Sequence, residues 1–219
     1  MARGYGKTTV ANIALNLLGA GKHLTDLDSQ TTSEAQQLRL FYPLALNSAL
    51  LKFQWSFAAD FTKGPMPIAE ESPASGYRYA YRTPADFVVC RQVAHPRAFS
   101  HNEDQFVEDF VPYKEIMVNG VTQIHTDLSY AAMEYTTNLG GEDALYPPSF
   151  TILFGAVLAK MSGASIITNN FAQIQTKLEV NIKEFEMIAM AEDVLRESPR
   201  IRPVSPFITT RLRGIVTPY

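Results

Sequence analysis

Tyr77-Arg78-Tyr79-Ala80-Tyr81-Arg82 alternates large aromatics with charged or small residues. This period of two places three tyrosines on one face of a β-strand and two arginines on the other. The stretch lies between regions of helical period, so it divides the chain. Upstream, from Thr62, the residues Gly64, Pro65, Pro67, Pro73 and Gly76 punctuate a polar connector that reads as free of regular structure. Downstream, Phe87 to Val93 is a second β-rich run. Glu115 to Val118 and Val121 to His125 then flank Asn119-Gly120, a pair whose tolerance of positive φ makes it a strong hairpin signal. Leu128 to Tyr135 adds one more strand.

On both sides the period becomes helical. Val10, Ile13, Ala14, Leu17 and Leu18 form a short amphipathic helix, with Thr8 or Thr9 as N-cap and Gly19 as stop. A second helix starts near Thr32 or Ser33 and runs through Leu38, Phe41, Ala45 and Ala49 towards Trp55, with a kink expected at Pro43. After Pro147 and Pro148 comes an apolar stripe of Phe150, Leu153, Phe154, Val157, Leu158 and Met161. The last helix, capped by Asn169 or Asn170, carries Phe171, Ile174, Leu178, Ile182, Phe185 and Ile188 on one face and ends near Leu195. From Ser198 to Tyr219 there are prolines and arginines, no acid and no stripe, which reads as an extended arm.

The economical arrangement is a mainly α fold, because the two helical sets each have an apolar face to bury. The expectation is an antiparallel helical bundle (residues 1–75 and 147–197) interrupted by a small β-rich insertion (76–146), followed by the arm (198–219).

With 219 residues, 46% hydrophobic and 19% charged, the chain can bury a real core. Its net charge of -3 argues against a surface built throughout to hold nucleic acid. Cys90 is the one cysteine, so neither an internal disulfide nor a thiolate cluster can form. The N-terminus shows no signal-like apolar stretch, and Lys160 interrupts the longest apolar run, so the chain reads as cytoplasmic when made, with no membrane partner.

No catalytic constellation survives weighing, and the chain reads as a non-enzyme without cofactor or metal. Gly4-Tyr5-Gly6-Lys7-Thr8-Thr9 suggests a phosphate loop and hence a small nucleotide hydrolase using Lys7 and Thr8. The full motif needs another glycine where Met1 stands. His23, His95, His101 and His125 lack metal-ligand spacing, and Cys90 sits in an apolar run. Glu103, Asp104, Glu108 and Asp109 do not fit a calcium loop. Tyr77, Tyr79 and Tyr81 could stack single-stranded nucleic acid, although the burial of one strand face explains them without a ligand. Arg200, Arg202, Arg211 and Arg213, together with Phe207, make the arm a candidate partner-binding segment.

Several blocks taken in order resemble the head-to-tail adaptors of tailed phages, of the tail tubular protein A type. Trp55-Ser56-Phe57-Ala58 after Tyr42-Pro43 and Leu50-Leu51 is similar to the end of that family's kinked second helix. Tyr79, Tyr81, Pro84 and Asp86 are similar to its aromatic strand and following turn, with Thr83 where leucine is common. The likeness continues through Asn119-Gly120, Pro148-Ser149-Phe150 and the small residues from Ala156 to Ala164. Residues 94–112 have no counterpart.

The resemblance implies a virion structural protein: a dodecameric ring at the head–tail junction, between the portal and a downstream nozzle or tail-tube protein. Double-stranded DNA would pass through its channel during ejection without specific binding. On this reading the arm, with Arg200, Arg202, Phe207, Arg211 and Arg213, reaches the portal, and the hairpin tip at Asn119 and Gly120 faces the tail.

Overall fold

The computed structural model describes residues 5–62, 64–71, 73–96, 111–139, 146–167 and 171–196. Among these residues four helices pack together: α1 (Lys7–Leu18), α2 (Ser33–Leu50), α3 (Pro148–Ile166) and α4 (Phe171–Arg196). Gly6 caps α1, and Gly19 ends it with φ 69°, a left-handed conformation that costs glycine nothing. Thr32 caps α2 by accepting from the Ala35 N–H at 3.3 Å. Pro148 opens α3 where a helix has no use for its missing donor.

Helix α3 is the centre of the helical group, with α1, α2 and α4 each packed on it. Phe150, Leu153, Phe154, Ala156, Val157, Leu158, Ala159 and Ser162 are buried, while Ile152 and Lys160 remain exposed. By length and composition α3 could cross a membrane; in this fold most of its apolar surface is covered within the protein. The α1–α3 contact is closest at Gly155, where an added Cβ would stand 2.5 Å from Ile13 Cγ2.

Among the described residues seven strands form two antiparallel sheets. One has the order β1 (Ala59–Phe61), β7 (Ala132–Thr137), β4 (Phe87–Ala94). The other has the order β2 (Ile68–Glu71), β3 (Tyr79–Arg82), β6 (Val121–Thr126), β5 (Tyr113–Val118). They share a second core of Met66, Tyr81, Cys90, Val93, Ile124, Met133 and Tyr135. Between β5 and β6, Asn119 (φ 51°) and Gly120 (φ 79°) make the expected hairpin turn.

The expectation of a mainly α bundle with a small insertion is therefore corrected. Among the described residues 47% are helical and 23% are in strands, an α/β architecture with two sheets and a core of their own. The missed strands are β1 and β2, in a stretch read as helix end and connector. Each is only three or four residues long and is held by a distant partner, β1 by residues 134–136 and β2 by residues 79–81. Such pairing overrides local propensity and leaves no periodic trace. Helix α2 correspondingly stops at Leu50, and Trp55 precedes a short 3-10 turn, Ser56–Ala58.

A bulge joins the helical group to the sheets. The β4–β7 register shifts between Cys90 and Gln92, so Arg91 leaves the ladder. Its guanidinium donates to the Trp55 carbonyl and, at 2.9 Å, to Thr136 Oγ1, while Glu134 lies 3.6 Å away. The Cys90 N–H is taken by Glu115 Oε1 at 2.8 Å, which ties the two sheets together.

Candidate functional site

The Gly-Lys-Thr segment begins α1, but its side chains serve the fold. Lys7 Nζ pairs with Asp28 at 2.6 Å and stands 5.7 Å from the centre of the Tyr42 ring. Thr8 Oγ1 accepts from the Leu27 N–H at 3.2 Å. Both groups a nucleotide would need are thus engaged with the loop that follows α1. The expected threonine cap is replaced by Gly6, because the helix starts at Lys7 and places Thr8 and Thr9 inside its first turn.

The tyrosines are divided. Tyr81 is buried and donates from its hydroxyl to the Leu128 carbonyl; Tyr79 is half-buried beside it, with ring centres 6.3 Å apart. Tyr77 precedes the strand. A stacking platform needs open faces, and Tyr81 offers none. Asp86 takes the Thr137 hydroxyl at 2.7 Å and the Tyr135 hydroxyl at 3.2 Å. The Asp60 carboxylate lies 3.4 Å from the same tyrosine oxygen. Burial first, and then these two carboxylates, push the Tyr135 hydroxyl well above its ordinary pKa, so it remains a donor.

Trp55 is fully buried and donates from its indole N–H to the Ala49 carbonyl at 3.0 Å. Its ring meets Phe53, Phe57 and Phe150 at centroid distances of 5.3, 5.9 and 5.2 Å. Trp55, Phe57, Tyr79, Tyr81 and Asp86 are therefore packing or bracing groups. Cys90 is buried, and burial above all raises its thiol to about 12. The arm residues Arg200, Arg202, Phe207, Arg211 and Arg213, the helix caps Asn169 and Asn170, and the acidic run from Glu103 to Asp109 lie outside the described residues.

Two surface features escaped the sequence reading. The outward face of α2 carries Gln36, Leu40, Pro43, Leu44, Asn47 and Leu51, recurring at helical spacing over the whole helix without one charge. Leu40 is 64% exposed and Leu44 58%. The outward face of α4 carries Val180 and then Met187, Ile188, Ala191, Val194 and Leu195, with Met187 66% and Leu195 85% exposed. Ile188 was expected in the core; Ala189 occupies the packed position and Ile188 faces out.

Beside the α2 face opens a cleft of about 270 Å³, floored by Tyr42 and Leu46 and rimmed by Lys7, Arg39, Asn47 and Asn138. No protein family model and no curated protein matches the chain. A free-standing helix puts charge on its solvent side. The α2 face carries none and is the kind of surface that another protein covers, whereas α4 exposes Lys177, Glu179, Lys183, Glu184, Glu192 and Arg196 along with its apolar residues.

Proposed function

We propose that the chain is a non-enzymatic structural subunit, a head-to-tail adaptor that assembles as a ring between the portal of a tailed phage and the next tail component. The observation that supports this reading is the uncharged and uncovered face of α2, where Leu40 is 64% and Leu44 58% exposed. An assembly subunit needs such faces; a monomeric enzyme needs a cleft with free reactive groups. Here the side chains of the one nucleotide-like segment are spent on Asp28 and Leu27.

The resemblance supplies the position in the virion. On that reading the ring has twelve subunits, the arm from residue 198 engages the portal, and the Asn119-Gly120 tip meets the nozzle or tail tube. Exposed Met117 and Val121 beside this tip are the apolar contacts it would offer. Duplex DNA would pass the lumen without specific binding, which a net charge of -3 favours over a basic wall. The place of action would be the head–tail junction, after assembly in the host cytoplasm.

The test is negative-stain microscopy of isolated portal rings mixed with the purified chain. A layer of added density on one end of the ring is the expected result. Portal rings that stay bare at saturating chain concentration would overturn the adaptor reading.

A further inference from the structure

We infer that the chain's own C-terminal arm, residues 198–219, lies on the outward face of α2 and covers it in the free subunit. The face carries Leu40, Leu44 and Leu51, each more than half exposed, along a side of the helix without a charge. This goes beyond the adaptor reading and does not depend on it. Where both hold, a portal that takes up the arm would uncover the α2 face for a neighbour.

The end of α4 delivers the arm to this face. Asp193 is held on Ser56 at 2.7 and 2.8 Å, and Glu186 pairs with Lys52 at 2.7 Å, so the last turns of α4 lie against the residues that directly follow α2. Arg196, the last described residue, comes soon after Asp193, and Leu51 comes just before Lys52. The arm thus starts beside the C-terminal end of the leucine stripe. Fully extended it reaches about 70 Å, whereas α2, with 18 residues, is about 27 Å long. A segment tethered at one end of its site has an effective concentration on the order of 1 mM, against which any free partner has to compete.

The chemistry of the two surfaces matches. Ile201, Val204, Phe207, Ile208, Leu212 and Val216 give the arm apolar side chains throughout, and it holds four arginines and no acid. An arginine laid along an apolar face keeps its charged end in water. The α2 face has no charge to strip of water in return. On α4 the exposed Lys177, Glu179, Lys183 and Glu184 would have to be desolvated, which opposes the same segment there. The cleft of about 270 Å³ beside Pro43 and Leu46, floored by the Tyr42 ring, offers a socket for one aromatic side chain such as Phe207.

The experiment places a reporter thiol on the full-length chain, Leu44→Cys on α2 or Met187→Cys on α4, and times its reaction with a thiol-disulfide reagent. Buried Cys90 stays silent while the fold is intact. Each reporter is measured with the native arm and with Ile201→Asp, Phe207→Asp and Leu212→Asp combined. The arm substitutions are expected to speed labelling at position 44 by at least about tenfold and to leave position 187 unchanged. With the native arm, the rate at position 44 is expected to be independent of protein concentration. Equal rates at position 44 with both arms would overturn the proposal, and faster labelling at position 187, alone or as well, would put the arm on α4. Protection at position 44 that fades on dilution would overturn it in favour of an arm from a second copy. None of these results bears on the decoration of portal rings, so the adaptor reading stands or falls on its own test.

Discussion

Asp193, near the end of α4, accepts two hydrogen bonds from Ser56, one from its backbone N–H at 2.7 Å and one from its hydroxyl at 2.8 Å. The carboxylate is itself buried, and it fastens the last helix to the turn that follows Trp55. This explains the small polar residue between Trp55 and Phe57: a hydroxyl at position 56 completes the clip, and a larger side chain would crowd it. Asp193→Ala removes both acceptors and leaves Ser56 donors without partners, at a cost of about 1–3 kcal/mol. Asp193→Asn keeps an acceptor oxygen and should lose less. Urea unfolding of the two variants checks the order; equal stability of wild type and Asp193→Ala would show that the clip holds nothing.

Gly155 is required by proximity. A Cβ there would meet Ile13 Cγ2 at 2.5 Å, Ile13 Cβ at 2.9 Å and the Val10 carbonyl at 3.3 Å, so α1 itself has to move. Alanine raises helix propensity by about 1 kcal/mol relative to glycine, yet Gly155→Ala should still be net destabilising by about 1–3 kcal/mol from overpacking. Ile13→Ala in the same chain should recover part of that loss, which thermal melts of the single and double variants would reveal.

Helix positions and the Asn119-Gly120 hairpin were legible in the sequence because each carries its own periodic or conformational signature. Strands β1 and β2 were not, since Ala59–Phe61 and Ile68–Glu71 are strands only because residues 134–136 and 79–81 lie beside them. The same limit hid the role of Arg91, whose direction depends on a bulge in β4. The candidate surfaces did leave a trace. Between Ser33 and Leu50 only Glu34 and Arg39 are charged, too few for a helix with a wet face, and on α4 Met187 and Ile188 add a second apolar side opposite Leu178 and Ile182. What the sequence could not tell is which of the two apolar sides the rest of the chain would cover.

Cys90 provides a reactivity test. Its thiol lies among Val93, Met133 and Tyr135, and burial, helped by the nearby Glu115 and Glu134 carboxylates, raises it from 9.0 to about 12. That rise cuts the thiolate fraction near pH 8 by on the order of a thousandfold. Native protein should therefore resist a thiol-disulfide reagent that labels the urea-unfolded chain at once. Rapid native labelling would show that burial does not hold the thiol back.

His125 should make the sheets acid-sensitive. It is buried in β6, with Nδ1 2.7 Å from the Ser75 hydroxyl and Nε2 without a hydrogen-bond partner among the described residues. Burial is the main force on its pKa and lowers it below 6.5; Lys114 pushes in the same direction and Glu70 opposes. The folded chain thus binds its proton more weakly than the unfolded chain does. Neutral His125 imposes no penalty above the unfolded pKa. As pH falls from about 6.5 towards the folded value the unfolded state gains protons first, and stability is lost. His125→Gln lacks the titrating ring, so its stability should fall less steeply than that of wild type over this window, whatever its value at pH 8. Denaturant midpoints of both proteins from pH 8 to pH 5 provide the comparison, and parallel curves would mean that His125 is not the group that titrates.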